Sequence, residues 1–110
     1  MSKVKFTEAL RKEYENLFNS CIIRTERVST VNEIINKLLA NINRYQSVGE
    51  ATGIPWYFVA VIHNMEASLN FNRHLHNGDP LIGRTFQVPA GRPVKGNPPF
   101  TWEVSAIDAL

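Results

Sequence analysis

At 110 residues the chain has room for one compact domain with its own core and too little for two ordinary ones. Apolar residues make up 44% and charged residues 20%, which excludes an intrinsically disordered composition, and no apolar run approaches the roughly 20 residues that span a bilayer. A net charge of +2 with no arginine-rich block argues against nucleic acid as a partner.

The opening MSKVKF runs straight into a charged helical pattern, without the basic, apolar and small-residue succession of a secretory signal, so synthesis in the cytoplasm is expected. Cys21 is the single cysteine; it excludes an internal disulfide and predicts a buried, inert thiol.

Thr7 precedes a segment in which Leu10, Tyr14, Leu17, Phe18 and Cys21 recur at helical spacing, opposite Arg11, Lys12, Glu13, Glu15 and Asn16. That predicts a surface helix with one buried stripe. Thr30 and Glu33 have capping-box spacing ahead of a second stripe, Val31, Ile34, Ile35, Leu38, Leu39, Ile42 and Tyr45, which Ser47 and Gly49 should end. The N-terminal helices are therefore expected within residues 7–46. Pro55 suits the first turn of a third helix, 55–67. Trp56 to Ile62 is apolar on every side, so this helix is expected to be central and wrapped by the others.

After Ser68 single apolar residues alternate with Asn, His, Gly, Asp and Pro, which predicts a turn-rich β-hairpin over 69–89, with Thr85 to Val88 as strand. AGRPVKGNPP is a loop over 90–100, and Thr101 opens a further helix over 101–110 with Glu103 in its first turn. The expected fold class is α+β and mostly α: a single domain, 1–110, with a central buried helix and a small hairpin.

Glu66 stands where the oily segment stops. Unpaired carbonyls at the helix end and desolvation by apolar neighbours would both disfavour its ionised form, the requirement on the acid of a glycosidase. Asp79 lies in Asn77-Gly78-Asp79-Pro80, which also serves as a turn in which Asp bonds the local backbone. Three histidines, His63, His74 and His76, offer nitrogen ligands to zinc, but neither HExxH spacing nor a cysteine cluster fixes a geometry, so no metal and no cofactor is expected.

The MEASLNF segment, with Glu66, Ser68, Phe71 and Asn72, resembles the Glu-Ser-x-Phe-Asn signature of lytic transglycosylases and goose-type lysozymes, loosened by Ala67 and one extra residue. Glu66, Asp79 and Thr85 resemble the acid, aspartate and threonine of phage-type lysozymes, although the Glu-to-Asp gap is longer here. From about Ile54 through LHNGDPL, VPAGRP and NPPFTWE the chain is similar to bacterial and phage proteins of the lysozyme-like superfamily, a resemblance covering roughly its second half. It implies a peptidoglycan hydrolase or lytic transglycosylase, an endolysin-like bacteriolytic enzyme. The bond cut would be the β-1,4 link between N-acetylmuramic acid and N-acetylglucosamine. Glu66 would be general acid, and Asp79 and Thr85 would hold water or stabilise charge. Ser68, Asn72, His76, Tyr57 and Trp102 would contact substrate.

The superfamily's further helical lobe is not matched in this chain, so a second chain or self-association is expected to complete the cleft, and action on the cell wall is expected to follow release or export. The alternative is a non-catalytic subunit that binds glycan or a partner.

Overall fold

The computed structural model describes residues 3–110. Its helices are α1 (Glu8–Ser20), α2 (Val28–Ala40), α3 (Ile42–Thr52), α4 (Trp56–Ala67) and α5 (Trp102–Ala109), with a short 3-10 turn, Thr25–Arg27, ahead of α2. Among the described residues there is no strand, only an isolated antiparallel bridge between Arg73 and Pro80. The fold is all-helical, and the expected α+β class with a hairpin is overturned.

The chain divides into two compact units, one ending at Asn32 and the other Glu33–Leu110. In the first, Thr7 caps α1 as its position suggests, its Oγ1 accepting from the amide of Leu10 at 3.1 Å. Arg11 pairs with Glu8 one turn before it and Glu15 one turn after. The apolar stripe exists, but α1 buries none of it, and Cys21 is exposed rather than buried.

The second stripe is one long helix in the sequence and two in the structure. The helix starts at Val28, propagating from the preceding 3-10 turn, so Thr30 lies inside it and no capping box forms. It breaks at Asn41, whose side-chain amide donates to the carbonyl of Lys37 at 3.1 Å, the competition with backbone bonding that makes asparagine a poor helix-interior residue. α3 then ends at Gly53, whose φ of 75° closes the helix in the left-handed region.

Within Glu33–Leu110, α3 packs against both α4 and α5. Tyr45 and Val48 from α3, Val59 and Ala60 from α4, and Trp102 and Ala106 from α5 form the core with Leu75, Leu81 and Phe100. Trp102 is 1% exposed and lies edge-on to both Tyr45 and Phe71. Burying a tryptophan of 150–250 Å² at about 25 cal/mol per Å² gives roughly 4–6 kcal/mol before entropic costs, so it anchors α5 to the core. Across the rim, Arg44 grips Glu103 with two bonds of 2.6 and 3.1 Å and lies 4.0 Å over the Phe71 ring. That bond and the charge of Arg44 hold the Glu103 carboxyl below the usual range, against partial burial.

α4 departs from its expected role. Val59, Ala60, His63 and Ala67 are buried, but Tyr57, Phe58, Val61 and Met65 are at least half exposed, so the helix packs on one side only. No described helix is long and apolar enough to cross a membrane.

Candidate functional site

α4 ends in an unusual way. Ser68 and Leu69 both adopt positive φ, 50° and 61°, and their amides return to the carbonyls of Asn64 and His63. Consecutive non-glycine residues in the left-handed region carry strain of order 1 kcal/mol each, and they swing the chain sharply away from Glu66. The turn Asn77–Asp79 then comes back against the helix end. A Cβ at Gly78 would stand 2.7 Å from the carbonyl oxygen of Glu66, and φ there is +83°, so only glycine allows this approach.

Between helix end and turn lies an open groove of about 510 Å³, lined by Glu66, Ala67, Ser68, Asn70, Arg73, Asn77, Gly78 and Gln87. Several of its side chains are fixed by the protein. Asn70 Oδ1 accepts from the amide of Asn72 at 2.8 Å, Arg73 donates to the carbonyl of Gly78 at 2.9 Å, and Asn77 donates to the carbonyl of Gln87 at 3.1 Å. The Glu66 carboxylate, the Ser68 hydroxyl and the Asn70 NH2 group make no hydrogen bond to the described residues, which leaves acceptors and donors facing the groove together.

Asp79 is 1% exposed and sits behind this wall. Its Oδ2 accepts from the amides of Phe86 and Gln87, both at 2.9 Å, and its Oδ1 from the side chain of Gln87 at 2.7 Å. Burial pushes its carboxyl up, and these bonds outweigh that and hold it below the ordinary range. The amides a strand would offer to a neighbour thus go to one carboxylate, which explains why Thr85–Val88 forms a loop. Thr85 is also buried, its hydroxyl donating to the carbonyl of Pro89 at 2.5 Å and accepting from the amide of Arg92 at 2.8 Å. Both residues are spent on closing the loop.

The other expected contact residues are dispersed. Asn72 and Trp102 line a different hollow of about 450 Å³, with Arg44, Phe71 and Phe100. Tyr57 is exposed on α4 and His76 is turned to Asp108, Nε2 to Oδ2 at 2.6 Å. A third hollow, about 560 Å³, is a shallow one along Gln46, Gly49, Glu50, Gly53 and Ile54–Trp56 that holds none of the expected site residues. Glu66 is exposed, so the desolvation expected of a glycosidase acid is absent.

Two buried histidine systems escaped the sequence. The carbonyl of Asn70 requires a proton on His63 Nε2, 3.1 Å away, so Nδ1 accepts from the Tyr45 hydroxyl at 2.8 Å. Burial depresses the imidazole, against the Asn70 bond and with help from nearby Arg44, and raises Tyr45 to about 12, so both stay neutral. The second system links His74, Ser105, His76, Asp108 and Arg92. Ser105, His76 and Asp108 have the order of a nucleophile triad, but the serine is fully buried and already accepts from the amide of Leu75 at 3.3 Å, so no substrate reaches it. No signal in the sequence connects residues about 30 positions apart. No group of three or more candidate metal ligands occurs among the described residues.

No family model matches the chain, and no match was found among curated proteins or among solved structures. Among the described residues the all-helical fold has neither the β-lobe nor the catalytic cleft of lysozyme-type glycosidases. That overturns the expected peptidoglycan hydrolase or transglycosylase activity, and with it the endolysin-like and bacteriolytic roles; the zinc alternative fails for want of a ligand cluster.

Proposed function

We propose that the chain is a non-catalytic binding module that takes a glycan strand of peptidoglycan along the groove between the end of α4 and the Asn77–Asp79 turn. The observation that carries this is the pairing of unspent acceptors and donors, Glu66, Ser68 and Asn70, on one strained and hydrogen-bonded frame. Sugars present hydroxyl and acetamido groups that donate and accept in alternation, and about 510 Å³ lies within the range of small-ligand sites. The resemblance of MEASLNF to segments of peptidoglycan-active proteins supports the ligand class, since Glu66 and Ser68 of that segment line the groove.

Co-sedimentation with purified peptidoglycan sacculi tests this. The wild type should pellet with the sacculi and release no muropeptides. Glu66→Ala with Asn70→Ala should weaken binding roughly tenfold, the equivalent of two ordinary hydrogen bonds. Equal retention of wild type and double variant would exclude the groove.

A second association is favoured by the exposed row Tyr57, Val61 and Met65, spaced one helical turn apart on α4 with Phe58 beside it. An apolar row of this kind on a helix fits another protein chain, this one or a different one. Sedimentation equilibrium of wild type and Val61→Glu reports whether copies of this chain associate there.

A further inference from the structure

The helix α1 is 13 residues long and buries none of them. A lone helix of that length is marginal in water, because nucleation costs nearly as much as its few backbone bonds return. Its polar side is locally satisfied, with Thr7 as cap and Arg11 held between Glu8 and Glu15. Its apolar side has no such support.

Tyr14, Leu17 and Phe18 stand at i, i+3 and i+4 and so share one face. The ring of Phe6 stacks on Tyr14 with centroids 6.5 Å apart, which extends that face past the helix start, and Ile22 stands just beyond the helix end. Exposure is 70% for Phe6, 58% for Tyr14, 60% for Leu17, 83% for Phe18 and 88% for Ile22. At about 150–250 Å² for a whole aromatic side chain and somewhat less for an aliphatic one, this row leaves roughly 700–800 Å² open. Monomeric proteins rarely expose apolar patches above a few hundred Å², whereas a standard interface takes about 800 Å² from each partner. The row has the area of half a dimer interface.

Charge narrows the choice of occupant. Around the row α1 carries three glutamates, Glu8, Glu13 and Glu15, against Arg11 and Lys12. A helix that lies on an anionic lipid surface needs a basic polar face, which α1 lacks. Its charges nearly cancel, so two copies meet with little repulsion, and a second copy supplies the same apolar area in return.

We propose that this protein is a homodimer in which the apolar rows of two α1 helices pack against each other about a two-fold axis. Together the rows bury roughly 1,400–1,600 Å², within the standard class of stable interfaces. The surface is separate from the α4 row around Val61 and from the groove at Glu66.

Sedimentation equilibrium of the full chain tests this with wild type, Phe18→Glu and Val61→Glu. The wild type should dimerise with a dissociation constant of roughly micromolar order. Phe18→Glu should weaken it about 30-fold or more, as for an aromatic residue central to an interface, while Val61→Glu leaves it unchanged. Leu17→Glu, on the same face, should act as Phe18→Glu does. Amide exchange within α1 of the wild type should also slow as protein concentration rises, a readout that needs no substitution. A wild type that stays monomeric at about 100 μM, or a dimer that survives Phe18→Glu and is lost with Val61→Glu, overturns the proposal. So does exchange in α1 that ignores concentration.

Discussion

Asp79 shows how one side chain replaces a strand ladder. Three donors from Phe86 and Gln87 converge on its carboxylate in a site that is 1% exposed, so Asp79→Ala leaves all three without their acceptor. At roughly 1 kcal/mol or more for each donor not rescued by water, urea unfolding should show a loss of about 2–4 kcal/mol. The folded carboxyl lies below its unfolded value of about 3.9, so its stabilisation is complete above that pH and disappears as pH falls through the lower, folded value. Glu103 and Asp108 are shifted in the same direction and act with the same sign. Between pH 5 and pH 2.5 the urea midpoint of Asp79→Asn should therefore fall less steeply than that of the wild type. Parallel slopes would mean that the carboxylate is not held by these bonds.

At the scale of elements, α4 is defined by how it stops. Ser68 takes the left-handed C-cap position with an exposed side chain, so Ser68→Gly removes backbone strain and little packing. A gain of about 0.5–1 kcal/mol in urea unfolding is expected, and a loss would show that the serine hydroxyl is needed where it stands. The helix itself was legible in the sequence, as were the caps at Thr7 and Thr101, because each depends on neighbours within one turn. The hairpin was misread for a different reason. Alternation in RTFQVP indicates extended backbone, but a strand also needs a partner ladder, and here the amides of Phe86 and Gln87 were taken by an aspartate seven and eight positions earlier. Glu66 was legible as a residue at the end of a helix, and Ser68 entered only through the resemblance of MEASLNF. The burial of Asp79 and Thr85, and the pairing of His76 with Asp108 across 32 positions, depend on tertiary closure that no local pattern encodes.

For the molecule as a whole, the distribution of burial divides the chain. Every residue of the core cluster lies between Tyr45 and Ala106, and the partly buried residues packed against it extend it only to Leu38 and Leu110. The stretch before Glu33 contributes a helix whose apolar stripe, including Tyr14, Leu17 and Phe18, is exposed. Hydrophobic burial is the dominant favourable term in folding, and α1 supplies none of it to that core. A fragment comprising residues 33–110 should therefore fold alone, with a cooperative urea transition and well-dispersed amide NMR signals. Its folding free energy should lie within about 1 kcal/mol of the full chain's, the range expected for losing surface residues rather than core. A fragment that gives collapsed, undispersed spectra would show that residues 33–110 do not fold without the first 32.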